Sequence, residues 1–142
     1  MRHPVLEVSG LTIGLSGTSV VDGFDLCVRE NEIVALIGES GCGKSMAALA
    51  IAGLLPRAAT MTRGTVRVDG QEMTALDKSG RARLRAEKLA MIFQEPVASL
   101  NPLIRVGEQV VERLVVHHGV AYRDARPRAI AMLAETGIHQ PE

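Results

Sequence analysis

Residues 5–28 alternate between apolar and polar side chains in a way that is typical of half-buried β-strands. Residues 5–8 and 11–13 predict one strand, and residues 20–28 predict a second. Asp22 and Gly23 interrupt the alternation in the second stretch, so we expect a β-bulge there. The chain is therefore predicted to open with a mainly β segment.

Two later runs, at residues 33–37 and 89–93, are apolar without alternation. Uninterrupted runs of this length are typical of strands that are buried on both faces of a parallel sheet. Between them, residues 46–55 have the composition of an apolar helix, and Pro56 is expected to end it. Residues 65–68 give a further strand pattern, and an Asp-Gly pair follows as a turn signal.

Helical patterns dominate the remainder of the chain. Residues 74–87 predict a charged surface helix, and the apolar side chains of residues 106–118 recur at helical spacing. A last helix is expected with Asp124 as its N-cap, Pro127 in its first turn and Gly137 just past its end. The predicted class is α/β, with a β-rich opening, a partial parallel-sheet core and a helical tail.

The composition agrees with a folded domain. The chain has 142 residues, of which 46% are hydrophobic and 23% are charged, and this length suffices for one domain but not for two ordinary ones. Sixteen basic and sixteen acidic residues cancel to a net charge of zero. No overall field therefore favours nucleic acid or anionic lipid.

The cysteine count and the length of the apolar runs indicate the cellular compartment in which the protein is expected. Cys27 and Cys42 are too few for a disulfide framework, which favours a reducing compartment. The N-terminal residues lack the apolar segment of a secretory signal. The longest apolar run, residues 46–55, is short of the ~20 residues that cross a bilayer. Any membrane association is expected to depend on a partner.

A phosphate-binding loop is the most informative motif of the sequence. Residues 38–45 fit the pattern G-x-x-x-x-G-K-[ST] at every specified position, between the apolar run of residues 33–37 and the helical pattern that follows. The cofactor-binding residues predicted from it are Gly38, Glu39, Ser40, Gly41, Cys42, Gly43, Lys44, Ser45 and Met46. The motif predicts binding of ATP or GTP.

Each part of the motif has a physical role. Glycines let the backbone N–H groups turn inward around a phosphate, often at positive φ. Lys44 places a positive charge at the β- and γ-phosphates, and Ser45 offers a hydroxyl to Mg²⁺. The helix that follows points its positive dipole end at the same anion. A dinucleotide fingerprint is excluded, because the third glycine position of G-x-G-x-x-G falls on Met46.

A second motif narrows the interpretation. Residues 93–102 read F-Q-E-P-V-A-S-L-N-P, and together with the phosphate loop they make the chain resemble the ATP-binding subunit of an ABC transporter. The second motif is similar to that of the branch that serves dipeptide, oligopeptide and nickel importers. The resemblance extends over essentially the whole chain and implies a P-loop NTPase fold of the ABC ATPase type. ATP and Mg²⁺ are the cofactors that it implies.

The resemblance also assigns individual residues. Gln94 would be the glutamine of the Q-loop, which assists catalysis through the Mg²⁺ or the attacking water, so Ser45 and Gln94 are the expected metal ligands. Glu95 is expected to be structural or to take part in coupling. Leu15 falls where the family usually has an aromatic residue against adenine, which weakens stacking on the base.

The family's later motifs are absent from this sequence. No L-S-G-G-Q signature, no apolar run ending in Asp-Glu and no switch histidine occurs, so we expect a truncated cassette that binds nucleotide without turnover. Such a chain is expected to expose apolar edges of its sheet. The predicted organisation is a mainly β subdomain over residues 1–32, a nucleotide-binding core over 33–100 and the start of a helical subdomain over 101–142.

The expected function is that of the N-terminal part of an ATP-binding subunit of an importer for peptides or a related small solute. Its partners would be permease subunits, a second ATP-binding subunit and, indirectly, an extracytoplasmic solute-binding protein. It would lie peripherally on the cytoplasmic side of the inner membrane. Two alternatives stay open: a soluble P-loop ATPase that acts on nucleic acid, and a catalytically inactive nucleotide-binding fragment.

Overall fold

The computed structural model describes residues 3–94 and 100–139. The chain divides into two compact units, the first over Met1–Ala90 and the second over Met91–Glu142. The first unit is built on an antiparallel sheet with helices, and the described residues of the second form helices and turns. The three-part organisation expected from the sequence remains a prediction.

A four-stranded antiparallel sheet forms the frame of the first unit. Its strands are β1 (Pro4–Leu15), β2 (Thr18–Arg29), β3 (Ala59–Val68) and β4 (Gln71–Glu72). They lie in the order β2-β1-β3-β4. The β-rich opening predicted from alternation is confirmed, and β3 extends the strand predicted for residues 65–68 toward its N-terminus.

The register of β1 against β2 shifts at four points, and the two central shifts are bulges. Val8 pairs with Leu26 and Leu11 with Phe24, so two residues of β1 lie opposite Asp25, whose Oδ1 accepts a hydrogen bond from the Gly10 N–H at 2.8 Å. The next shift places two residues of β2 opposite one of β1. These two residues are Asp22 and Gly23, and Gly23 has a φ of 61°. The bulge predicted there is confirmed.

One glycine permits close contact between β1 and β3. Gly64 has a φ of 93°, and a Cβ added to it would lie 2.6 Å from the carbonyl oxygen of Gly10 and 2.6 Å from the backbone of Leu11. Backbone atoms of a paired strand cannot move away without a loss of stability. Position 64 therefore requires glycine for the two strands to pair across the first bulge.

The core of the first unit lies between the inner face of the sheet and helix α1 (Lys44–Ile51). Leu11 and Ile13 of β1 are fully buried, and Ala47 and Ala50 of α1 pack into the same cluster. The small alanine side chains let the helix lie close to the sheet, and the larger side chains of the strands supply most of the apolar surface.

Helix α1 ends earlier than the sequence predicts. Gly53 has a φ of 64°, its N–H donates to the Ala50 carbonyl at 2.9 Å, and the Leu54 N–H donates to the Leu49 carbonyl at 2.8 Å. This is a Schellman motif, in which a left-handed glycine satisfies the last carbonyls of a helix. The expectation that Pro56 ends the helix is therefore wrong, because Gly53 has already done so.

A tight turn joins β3 to β4, with positive φ at Asp69 (50°) and Gly70 (76°). The turn predicted from the Asp-Gly pair is thus confirmed. The charged helix expected over residues 74–87 is divided in two: a 3₁₀ turn, Met73–Ala75, comes first, and helix α2, Lys78–Lys88, follows. Met73, which directly precedes the predicted segment, is buried in the core and holds the 3₁₀ turn against it.

Side-chain hydrogen bonds fix both ends of α2. Asp77 is the N-cap, and its Oδ1 accepts the N–H of Gly80 at 2.7 Å. That hydrogen bond is the main reason that the pKa of Asp77 lies below its ordinary value. At the other end, Lys88 pairs with Asp69 at 2.6 Å, and the hydrogen bond from Lys88 holds the pKa of Asp69 below its ordinary value.

Neither of the two predicted buried strands is formed. Residues 33–37 and 89–93 have no strand structure, and Ile33 and Ile92 are 99% and 92% exposed. A parallel strand needs neighbours to complete its hydrogen-bond ladder and layers to cover both faces. Among residues 3–94 and 100–139 the only sheet is the antiparallel one, and neither run pairs with it. The prediction of buried strands is wrong. The apolar side chains of these runs are exposed, but as irregular segments and not as edges of a sheet, so the expectation of exposed sheet edges stays a prediction.

Two helices form the core of the second unit. Helix α3 (Val106–Glu112) continues into a π-helical turn (Arg113–His117), and helix α4 spans Tyr122–Glu135. Val111 of α3 is buried against Ala125 and Ala129 of α4. The small alanines again allow close packing of the backbones.

Helix α4 differs from the prediction at its start and agrees with it at its end. Its N-cap is Ala121, so Asp124 lies inside the first turn. Pro127 lies further along the helix, past the first turn, where its missing N–H removes a hydrogen bond of the helix. The expected N-cap is therefore wrong. At the other end Gly137 has a φ of 83° and its N–H donates to the Ala134 carbonyl at 3.0 Å, which confirms its predicted place after the helix.

Candidate nucleotide-binding loop

Residues 38–42 are exposed and lead through the half-buried Gly43 directly into α1. Two glycines of this turn, Gly41 and Gly43, have φ values of 82° and 92°. L-residues rarely adopt this region of φ, so the turn depends on glycine at both positions. Gly43 is the N-cap of α1, and its carbonyl accepts the Ala47 N–H at 2.8 Å.

The loop lies against β2 at Gly43. A Cβ on this residue would lie 2.5 Å from the carbonyl oxygen of Val20 and 2.8 Å from Cγ2 of Val21. The absence of a side chain therefore determines how closely the loop approaches the sheet. The contact fixes the N-terminus of α1 relative to the first unit's framework, and the spacing of the motif gave no sign of it.

The side chain of Lys44 folds back over the loop. Its Nζ donates to the carbonyl oxygens of Gly38 at 2.8 Å and Glu39 at 2.6 Å, and lies 3.4 Å from Sγ of Cys42. These bonds hold the ammonium group inside the turn, so the turn brings positive charge to the N-terminus of α1.

The first turn of α1 leaves hydrogen-bonding groups available. Among the described residues, the N–H groups of Lys44, Ser45 and Met46 have no acceptor, and no side chain caps the helix. Ser45 is exposed, and its hydroxyl has no partner in the part of the chain that the structure describes. Three N–H donors, a lysine ammonium and a free hydroxyl therefore occur within three consecutive residues.

This arrangement fits a phosphate group with its bound cation. Inward backbone N–H groups and a helix N-terminus stabilise phosphate oxygens, and the hydroxyl of Ser45 is a ligand of the kind that Mg²⁺ takes. Gly38 lies close to Cys42, since a Cβ placed on it would lie 2.8 Å from Sγ of Cys42. These donors therefore suit a nucleoside triphosphate with its Mg²⁺.

A comparison with known families decides the classification. Residues 21–141 match the family described as "ABC transporter". The chain belongs to this family. The resemblance inferred from the two motifs is thereby confirmed, and so is the fold class of an ABC-type P-loop ATPase.

Relatives within the ABC family carry names from peptide transport. The chain is 39% identical to the oligopeptide transport ATP-binding protein OppD of Mycobacterium tuberculosis over 98% of this chain and 23% of that protein. It is 37% identical to the oligopeptide transport ATP-binding protein AppD of Bacillus subtilis over 86% of this chain and 38% of that protein. The chain thus spans between about a quarter and two fifths of the length of these relatives.

Solved structures agree with the ABC fold. The ATP-binding cassette MJ0796, solved as a dimer bound to ADP and Pi, superimposes with a TM-score of 0.80 at 24% identity, over 95% of this chain and 58% of that one. The cassette cbiO1 of Clostridium perfringens, part of the transporter complex cbiONQ, gives a TM-score of 0.71 at 25% identity, over 96% of this chain and 51% of that one.

The remaining predicted site residues are divided between the two units and the residues that the structure does not describe. Gln94 is exposed and lies in the second unit, whereas the loop belongs to the first, so its part in a metal site stays a prediction. Glu95 lies outside the described residues. Glu39, Ser40 and Cys42 are exposed in the loop, and Met46 is half-buried against the core.

Leu15 lies at the end of β1 and packs partly buried against the core cluster of the first unit. Its apolar side chain therefore has a packing role in addition to any contact with a base. Across residues 3–94 and 100–139, no helix combines the length and the apolar character that crossing a bilayer requires.

Proposed function

We propose that this chain is the N-terminal part of the ATP-binding subunit of an ABC importer, which couples ATP binding and hydrolysis to uptake of peptides or a related small solute. The geometry at the start of α1 carries the proposal, because three N–H groups without an acceptor among the described residues and the Ser45 hydroxyl lie next to the ammonium of Lys44. On binding, this ammonium would exchange its bonds to the Gly38 and Glu39 carbonyls for bonds to phosphate oxygens. The relatives named as oligopeptide transport proteins support peptides as the solute class.

Each residue of the loop has a defined task in this proposal. The N–H groups at the start of α1 bind phosphate oxygens, and the ammonium of Lys44 balances the charge of the β- and γ-phosphates. Ser45 holds Mg²⁺, which when bound neutralises charge on the phosphates. Gln94 would complete the metal site or orient water, and Leu15 would provide apolar contact to the base without stacking.

The partners follow from the same proposal. Permease subunits would form the path through the membrane, a second ATP-binding subunit would complete the nucleotide site, and an extracytoplasmic solute-binding protein would act indirectly. The subunit would lie peripherally on the cytoplasmic side of the inner membrane. The neutral net charge supports a transport role over action on nucleic acid.

Titration calorimetry with ATP and Mg²⁺ tests the nucleotide-binding part. Lys44→Ala is expected to weaken binding at least about tenfold, since a charge-assisted contact to phosphate contributes about 1.5–3 kcal/mol. Lys78→Ala is the matched control, because it removes an exposed lysine at the start of the other helix of this unit, α2. Equal affinity of the parent and Lys44→Ala would refute the assignment of the phosphate loop.

A further inference from the structure

A cavity of about 420 Å³ opens in the first unit, at the C-terminal end of α1. Its wall is formed by the end of α1, by β3, by the 3₁₀ turn and by α2, which contributes Arg81. Binding pockets for small molecules usually measure about 300–1,000 Å³. The nucleotide-binding loop lies at the other end of α1, which is about 12 Å long. The cavity is therefore separate from that loop.

The buried part of the lining is apolar. Val66 of β3 is fully buried, Met73 is 2% exposed, and both line the cavity with Ala50 of α1 and the half-buried Met61. Since Ala50 has a small side chain, α1 leaves this space open. An apolar lining in a concave site favours a ligand with an apolar part.

One wall of the cavity carries positive charge. Arg81 and Gly53 both line it, and Cδ of Arg81 lies 4.0 Å from the position that a Cβ on Gly53 would take. Nη1 of Arg85, one turn later on α2, lies 3.3 Å from the same position. Two arginines thus approach one glycine of the lining. Their charge is complementary to an anionic group that is joined to an apolar body.

The guanidinium of Arg81 has no competing carboxylate in the part of the chain that the structure describes. None of the ion pairs there involves Arg81, whereas Arg83 on the same helix pairs with Glu87 at 2.9 Å. Asp77, one turn before Arg81, instead accepts the N–H of Gly80 at 2.7 Å. Arg81 can therefore bind an external anion without breaking a bond of the fold.

We propose that this cavity binds a small aliphatic carboxylate, with the carboxylate on Arg81 and the aliphatic chain against Met73 and Val66. The planar fork of a guanidinium matches a carboxylate through two parallel hydrogen bonds. One guanidinium in the lining balances the single charge of a carboxylate, whereas a phosphate monoester carries a charge of about −1.5 to −2. The site does not depend on the nucleotide-binding function proposed above.

NMR of the methionine methyl groups in the full chain, with octanoate as the probe, tests where the ligand binds. The chain has six methionines, and Met61 and Met73 line the cavity. Octanoate should shift the methyl signals of these two residues, which Met61→Leu and Met73→Leu assign. The signals of Met91 and Met132, which belong to the second unit, should not move.

Titration calorimetry with octanoate tests the chemistry of the site. Arg81→Gln should raise the Kd at least about tenfold, because it removes charge-assisted hydrogen bonds to the carboxylate. Arg83→Gln is the matched control, since it makes the same charge change on the same helix outside the cavity, and it should bind as the parent does. Lys44→Ala should also keep the parent's affinity, because its ammonium lies in the nucleotide-binding loop.

Two further ligands separate the two parts of the contact. Acetate lacks the aliphatic chain and 1-octanol lacks the charge, so each should bind at least about tenfold more weakly than octanoate. Equal affinity for 1-octanol and octanoate would overturn the anion site, and equal affinity for acetate would overturn the apolar one.

The remaining outcomes concern the location and the arginine. Unmoved signals of Met61 and Met73, or loss of octanoate binding in Lys44→Ala, would show that the cavity is not the site. An unchanged Kd in Arg81→Gln would contradict the role of the arginine. Should this variant lose the parent's far-UV circular dichroism, Arg81→Lys takes its place: it keeps the charge without the fork, and unchanged affinity would refute the paired hydrogen bonds.

Discussion

Replacing Gly43 by alanine tests whether contact with β2 fixes the nucleotide-binding loop. The new Cβ would lie 2.5 Å from the Val20 carbonyl oxygen and 2.8 Å from Val21 Cγ2, on a residue whose φ is 92°. Backbone strain of this kind costs about 1–3 kcal/mol. The steric overlap adds about 1–3 kcal/mol, because β2 is paired with β1 and cannot retreat freely.

Gly41→Ala is the matched control for this experiment. Gly41 has a similar φ of 82°, but a Cβ on it would meet nothing within 4 Å. The two variants thus share the backbone strain and differ in the overlap with β2. We expect Gly43→Ala to lose at least about 1 kcal/mol more stability than Gly41→Ala.

Urea unfolding followed by circular dichroism measures this difference, and calorimetry with ATP and Mg²⁺ measures its effect on the site. Gly43→Ala should also weaken ATP binding more than Gly41→Ala, because the loop must move away from β2 and shift the start of α1. Equal losses in the two variants would refute the reasoning, since backbone strain alone would then account for both.

Two further predictions concern the first unit. Gly64→Ala should destabilise it by about 3 kcal/mol or more, since the new Cβ would lie 2.6 Å from the Gly10 carbonyl oxygen. Gly70 has a φ of 76° and no atom within 4 Å of an added Cβ, so Gly70→Ala should lose less stability than Gly64→Ala. Equal midpoints of thermal unfolding for the two variants would contradict this. The hydrogen bond from the Gly80 N–H lowers the pKa of Asp77 below 3.8. The contribution of this N-cap to the free energy of unfolding is therefore fully present above that pH, and it is lost as the pH falls through the lowered pKa. The stability difference between the parent and Asp77→Ala should therefore shrink in acid, and a difference independent of pH would refute the role of this carboxylate.

Local chemistry determined what could be predicted from the sequence. The bulge at Asp22 and Gly23, the turn at Gly70 and the position of Gly137 follow from residue types whose backbone preferences are strong. The phosphate loop was likewise predicted from its glycines and Lys44. In these cases a few neighbouring residues are enough to specify the conformation.

Features that depend on distant partners could not be predicted in the same way. Residues 33–37 have the composition of a buried strand, but a strand forms only where another one pairs with it. The contact between Gly43 and Val20 joins residues that the motif does not relate. The side chain of Gln109 in α3 makes three hydrogen bonds, two with the backbone of Asn101 and one with that of Ile104, which arise from the path of the chain before α3. A glutamine without such bonds would have the same sequence pattern.

The exposed apolar run at residues 33–37 has a consequence for the behaviour of the chain in solution. Ile33 and Ile37 are 99% and 89% exposed, and the backbone between them pairs with no other strand in the part of the chain that the structure describes. A β-branched segment of this kind can pair with the same segment of another molecule and bury both apolar faces. Self-association should therefore rise steeply with protein concentration, and a charged residue at position 33 should suppress it without touching the nucleotide-binding loop.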